Sequence, residues 1–176
     1  MVAKKKGAGG KLSRSEVVTV RLDPKLRFAA ELAARKQRRT LSSFIEWAIE
    51  EAVNNVQVTN ASNNVGSVNH AMKIVWDVEE ADRLVKLALN FPELLTFDEE
   101  RLWKIISEQP SFWYRDWDHG GGWQLTEDYV NFETLRDNWS ILNKIITGDA
   151  NTSDLPKGEE DPTLPPMPCD PDGVPF

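Results

Sequence analysis

The chain has 176 residues, of which 40% are hydrophobic, and this leaves room for one medium domain or two small ones. Residues 1–53 hold 12 basic and 6 acidic side chains whereas residues 54–176 hold 9 and 22, so a net charge of −7 conceals a basic end suited to nucleic acid. A single cysteine excludes an intrachain disulfide, and the absence of a long apolar run or a secretory signal argues against a membrane partner. These features predict a cytoplasmic protein.

Residues 1–14 are predicted to be a flexible basic arm, in which Gly and Ala separate the cations Lys4, Lys5, Lys6, Lys11 and Arg14. A strand is predicted over residues 16–22, because Val18, Val20 and Leu22 alternate with polar residues. Alternate side chains of a strand face opposite sides. Val18, Val20 and Leu22 then share one side, and Val17, Thr19 and Arg21 share the other. A lone strand needs a hydrogen-bonding partner, and the same strand of a second copy is the simplest source.

Two helices are predicted after this strand. Asp23 is a good N-cap, and Pro24 suits the first position of a helix that runs to about Gln37. Thr40 can cap the second helix, which continues to about Val53. Both helices carry apolar side chains at helical spacing: Leu26, Ala29, Ala30, Leu32 and Ala33 in the first, and Phe44, Ile45, Ala48, Ile49 and Val53 in the second.

Residues 15–53 resemble the ribbon-helix-helix family, the group of the Arc and methionine repressors and of many plasmid copy-control proteins and antitoxins. The resemblance rests on VTVRLD (18–23), the helix start at Pro24 and RTLSSFIEWAI (39–49). It implies an intertwined homodimer whose two strands form an antiparallel ribbon in the major groove of double-stranded DNA, with dimers pairing cooperatively into a tetramer. One difference is Arg38, because many members have Gly just before the Arg of the turn between the helices.

The resemblance also implies which residues touch DNA. The base contacts fall on Val17, Thr19 and Arg21, and their chemistry is suitable, since Arg pairs with guanine and Thr or Val contacts base edges and thymine methyls. The phosphate contacts fall on the start of the second helix, where amides and the helix dipole favour anions, and on the arm. These residues are Arg39, Thr40, Leu41, Ser42, Lys4, Lys5, Lys6, Lys11 and Arg14.

An alternative is that residues 16–22 form a half-buried strand of an ordinary α+β domain, which the apolar Val17 on the outer side favours. Against this, 39 residues cannot build a large core alone, and an intertwined dimer solves that problem. The arm is then either a phosphate-contacting extension or a solubilising tail.

The remaining chain is predicted to contain an Asn- and Ser-rich linker over 54–70, a mainly helical interaction domain over 71–148, and an acidic, Pro-rich disordered tail over 149–176. In the domain, MKIVW (72–76) suggests a short strand, and the pairs Asp77/Glu80 and Thr96/Glu99 suggest capping boxes at two helix starts. A Gly-rich β-hairpin over 111–126 and a last helix over 131–147 with Gly148 as C-cap complete an α+β fold.

Six of the seven tryptophans lie between Trp76 and Trp139, mostly as expected core residues. The hairpin is too short to bury all its aromatics, so a protein partner is expected to bind residues 71–176 through Trp113, Tyr114, Trp117 and Trp123. Catalysis, a cofactor and a metal site are not expected. The run from His119 to Gly122 is similar to the oxyanion loop of some esterases, but the sequence has no nucleophile elbow G-x-S-x-G to go with it. Asp116, Asp118 and His119 could ligate a metal, but the sequence has no second cluster of His or Cys ligands.

The sequence therefore predicts a nucleoid-associated, sequence-specific transcriptional repressor, with an autoregulating antitoxin as one version of that role. The alternative is a plasmid-maintenance or DNA-processing accessory protein, which uses the ribbon to place a partner-recruiting domain on DNA.

Overall fold

The computed structural model describes residues 17–114 and 125–158, an α+β chain with six α-helices and one two-stranded antiparallel sheet in these ranges. The described residues divide into an N-terminal unit, residues 17–58 and 66–72, and a C-terminal unit, residues 59–65, 73–114 and 125–158. None of the helices in these ranges has the length and apolar character needed to span a membrane.

The two helices predicted in the N-terminal unit are confirmed. Helix α1 spans Pro24–Lys36, and the Asp23 carboxylate accepts a hydrogen bond from the Lys25 N–H at 2.8 Å. Helix α2 spans Leu41–Asn55, and Thr40 Oγ1 accepts from the Ser43 N–H at 3.2 Å. Each cap satisfies one backbone donor that the first helical turn leaves without a partner, and α1 packs against α2.

The turn between α1 and α2 is a Schellman motif. The N–H of Arg39 donates to the carbonyl of Ala34 at 2.9 Å, and the N–H of Arg38 donates to the carbonyl of Arg35 at 3.1 Å. This pattern requires a left-handed conformation at the first residue after the helix cap. That residue is Arg38, which has φ of 56°. Arg38 therefore occupies a position where Gly fits best.

The predicted strand over 16–22 is not formed within the single chain. Residues 17–23, where the described part begins, form neither helix nor strand, and Glu16 lies outside the described residues. A strand is defined by hydrogen bonds to a neighbour, and the two strands that the structure does describe pair with each other instead.

The predicted linker over 54–70 holds regular structure. Strands β1 (Gln57–Thr59) and β2 (Val65–Ser67) form a hairpin, and Asn60 Oδ1 accepts from the amides of Ser62 and Asn64 in its turn. The Asn and Ser residues from Asn60 to Asn64 thus belong to a turn, in which the Asn60 side chain bonds to nearby backbone.

Helix α3 (Val68–Val75) covers most of MKIVW, so the predicted strand there is wrong. A short apolar run does not distinguish a strand from a helix by periodicity alone. The helix also starts before residue 71, the predicted beginning of the second domain.

Three helices enclose the core of the C-terminal unit: α4 (Glu80–Asn90), α5 (Phe97–Glu108) and α6 (Phe132–Thr147). Their buried side chains, with those of the connecting segments, include Val85, Ile106, Phe112, Leu135 and Leu142. The predicted capping box of Thr96 and Glu99 is confirmed, as is the left-handed C-cap at Gly148 (φ 84°). That of Asp77 and Glu80 is wrong: the residue before α4 is Glu79, and Asp77 pairs with Lys86.

The predicted disordered tail is wrong over its first ten residues. Leu155 is buried among the core residues, and Gln109 Nε2 donates to the carbonyl of Pro156 at 2.6 Å. Gly158 lies so close that a Cβ there would be 2.7 Å from the Cβ of Pro110. Residues 159–176, and residues 115–124 of the predicted hairpin, lie outside the described residues; beside the hairpin, Trp113 forms an antiparallel bridge with Val130.

Arg38→Gly is expected to raise the free energy of unfolding by about 0.5–1 kcal/mol, because Gly removes a left-handed Cβ clash that outweighs its greater freedom in the unfolded chain. Urea unfolding at a fixed protein concentration measures the change. Arg38→Ala is the matched control, since it removes the same side chain but keeps the Cβ. If both variants are stabilised equally, or if neither is stabilised, backbone strain at Arg38 is not the cause.

Candidate nucleic-acid interface

The residues predicted to contact bases lie at the start of the described chain, with their side chains open to solvent. Val17, Thr19 and Arg21 are all exposed. The alternate residues, predicted to face inward, are also uncovered: Val18 is 79% exposed and Val20 64%. Only Leu22 is half-buried. Exposed apolar sets of this kind are typical of protein interaction surfaces.

The helices of the N-terminal unit extend this uncovered apolar surface. In α1, Leu26, Phe28 and Leu32 are exposed, and Ala34 is the only buried residue of that fully described helix. Helix α2, also described throughout, has no buried residue although it carries an apolar stripe that includes Ile49. The two helices cover each other's apolar stripes only in part, since Phe44 and Ile45 are half-buried while Leu32 and Ile49 remain exposed. They are therefore an incomplete core, because burial of such side chains is the main stabilising contribution to a fold.

The residues predicted to contact phosphate gather at the start of α2. Thr40 caps the helix, and the amides of Leu41 and Ser42 belong to the first turn, in which backbone N–H groups have no helical acceptor. Arg39 precedes the cap, and its guanidinium lies 5.5 Å from the ring centroid of Trp47. A cation beside free amides at the positive end of a helix is suited to an anion. The arm cations Lys4, Lys5, Lys6, Lys11 and Arg14 lie outside the described residues.

The predicted partner surface is only partly where the sequence placed it. Trp113 is 5% exposed and belongs to the core, because its Nε1 donates to the carbonyl of Ile106 at 2.7 Å and its ring packs edge-on against Trp103. Tyr114 is exposed, as predicted, while Trp117 and Trp123 lie outside the described residues. The same is true of Asp116, Asp118 and His119.

The sequence did not identify three residues, Trp76, Val78 and Trp47, as members of a candidate surface. Trp76 and Val78 are exposed, and the guanidinium of Arg83 lies 5.1 Å from the Trp76 ring centroid. The third is Trp47, which lies seven residues after the Thr40 cap and therefore two helical turns along the same face. That spacing is the signal by which a contact with the helix start could have been found.

Two cations of the C-terminal unit, Arg136 and Lys86, form ion pairs within that unit. Arg136 donates to the buried carboxylate of Asp82 through Nε at 2.8 Å and through Nη2, and these hydrogen bonds hold the pKa of Arg136 above its ordinary value. Lys86 Nζ lies 2.8 Å from Asp77 Oδ2. This hydrogen bond lowers the pKa of Asp77 and raises that of Lys86. These cations are occupied by internal partners and are poorly suited to bind phosphate.

No family model matches the chain, and no curated protein or solved structure is significantly similar to it.

Asp77→Asn is expected to lower stability at pH 7 and to cost progressively less as the pH falls below about 4. The folded pKa of Asp77 is depressed, so its stabilising contribution is present above the ordinary carboxyl pKa and is lost as the pH falls through the folded value. Urea unfolding at pH 7 and pH 3 measures this, with Asp128→Asn as an exposed acidic control in the same unit. A cost for Asp77→Asn that is the same at both pH values would rule out the ion pair as its cause.

Proposed function

We propose that the protein is a sequence-specific DNA-binding regulator of the ribbon-helix-helix type, in which two copies pair through residues 17–23. The observation that carries the proposal is the segment Val17–Leu22 without a strand partner, directly before two capped helices whose apolar stripes are only partly covered. A second copy would supply both missing parts at once, a neighbouring strand and the other half of a core.

The chemistry of the segment supports DNA as the ligand. In a two-stranded ribbon, the side of Val18, Val20 and Leu22 lies on the paired helices, which leaves Thr19 and Arg21 on the opposite side. Arg pairs bidentately with guanine, and Thr donates or accepts at several base edges of the major groove. The start of α2 and the basic arm would bind the flanking phosphates and set the register.

The regulator acts most simply as a repressor whose dimers occupy an operator, with an autoregulating antitoxin as a special case. The exposed pair Trp76 and Val78 supports a second candidate, in which the C-terminal unit recruits a protein partner for plasmid maintenance or DNA processing. Neighbouring genes distinguish these roles: a small toxin gene supports the antitoxin, and relaxase or partition genes support the accessory protein.

Leu32→Glu in the full chain is expected to convert the dimer to a monomer. Leu32 is 48% exposed in the single chain, so the substitution costs little within one copy but places two charges in the shared core. Because Leu32 is already about half-buried in one copy, each copy loses roughly half of a leucine burial free energy, ~0.8–1.5 kcal/mol. The dimer Kd therefore rises by roughly 15- to 150-fold, and burial of the two carboxylates raises it further.

Sedimentation equilibrium measures the dimer Kd, with Leu94→Glu as the matched control because Leu94 is a leucine of the C-terminal unit with 44% exposure. A Leu32→Glu protein that remains as dimeric as the control would refute the proposed core.

Thr19→Ala and Arg21→Ala are each expected to weaken specific DNA binding by about 1–3 kcal/mol while the dimer stays intact, because each removes a base contact. The duplex is first selected from a random pool with the wild-type protein, and gel-shift titration then gives the affinities. Lys104→Ala serves as the control, because Lys104 is an exposed cation of α5 outside the N-terminal unit. Unchanged affinity in both ribbon variants would refute the base contacts.

A further inference from the structure

Arg39 is held at two places between α1 and α2. Its backbone N–H donates to the carbonyl of Ala34 in the Schellman turn, and its guanidinium lies 5.5 Å from the ring centroid of Trp47. Trp47 is itself packed against Phe44, with ring centroids 5.6 Å apart and planes inclined at 43°. The half-buried Trp47 is therefore a fixed surface for a side chain that would otherwise sample many rotamers.

The cation–π contact with Trp47 leaves Arg39 able to bind an anion. A guanidinium uses its face to stack on an aromatic ring, and its N–H donors lie along the edge in a planar fork that matches phosphate. Within residues 17–114 and 125–158, the ion pairs described do not include Arg39. By contrast, Arg27 and Arg35 of α1 both lie beside Glu31.

We propose that Trp47 is a positioning residue for a phosphate contact made by Arg39. This inference rests on the DNA-binding function proposed above, and it assigns a role to a residue that does not itself touch DNA. Because Trp47 already restricts the Arg39 side chain, less conformational freedom is lost when the guanidinium meets a phosphate oxygen. The contact is sequence-independent, so Trp47 affects affinity and salt dependence but not the preferred sequence.

A purely structural role for Trp47, as a packing residue of the dimer, makes a different prediction. Loss of packing would weaken DNA binding by the same factor whether or not Arg39 is present. A positioning role makes the effect of Trp47 depend on Arg39, and a double-mutant cycle measures that dependence.

The test uses the full chain and the DNA duplex selected by the wild-type protein, at protein concentrations where sedimentation shows every variant to be dimeric. Trp47→Leu is expected to weaken binding by about 3- to 10-fold, and to have no further effect in the Arg39→Gln background. Arg39→Gln is expected to reduce the slope of log K against log salt by about 0.9, the loss of one phosphate. Trp139→Leu is the matched control and is expected to leave DNA binding unchanged, because Trp139 is a half-buried tryptophan of the C-terminal unit.

Each outcome decides the question. If Trp47→Leu weakens binding equally in both backgrounds, Trp47 only packs and the inference is wrong. If Arg39→Gln leaves affinity and salt slope unchanged while Arg21→Ala weakens binding, the Arg39 contact fails but the proposed function stands. If wild-type protein selects no duplex, the proposed function itself fails. If Trp47→Leu prevents dimerisation, Trp47→Phe is used in its place, because Phe is a weaker cation–π partner than Trp. Trp47→Phe is expected to weaken DNA binding by a smaller factor, and this effect must also vanish in the Arg39→Gln background.

Discussion

Residues 17–23 of this protein have no neighbouring strand within the described part of one chain to pair with their backbone donors and acceptors. Their apolar side chains are also left largely exposed to water. The rest of the N-terminal unit depends on how this deficit is met, because α1 and α2 leave Leu26, Leu32 and Ile49 of their apolar stripes exposed. One additional copy would satisfy the strand and cover both stripes. The proposed ribbon follows from that shared requirement rather than from the resemblance alone.

The elements that the sequence predicts well are those specified by local chemistry. Asp23, Thr40, Thr96 and Gly148 act at helix ends through their own side chains or backbone freedom, so residues within a few positions determine the outcome. The errors arise where distant residues decide. Asp77 binds Lys86, nine residues away, instead of capping α4, and Trp113 is buried by a core that its own hairpin pattern does not reveal.

The candidate interface was predictable in composition but not in geometry. The alternation of Val18, Thr19, Val20 and Arg21 is visible in the sequence, and the structure leaves all four exposed. The stacking of Arg39 on Trp47 is not visible there, because it depends on the left-handed Arg38 that turns the chain into α2. The acidic C-terminal unit keeps Lys86 and Arg136 in internal ion pairs, which is consistent with leaving DNA to the basic N-terminal unit.

In the proposed dimer, residues 17–22 of two copies form an antiparallel ribbon. Amide hydrogen exchange of the full-length protein, read residue by residue by NMR above and below the dimer Kd, tests it most directly. The account predicts protection of alternate amides in this segment that disappears on dilution, because alternate N–H groups of an edge strand point at its partner. Exchange of all these amides at unfolded-chain rates while the protein is dimeric would contradict it.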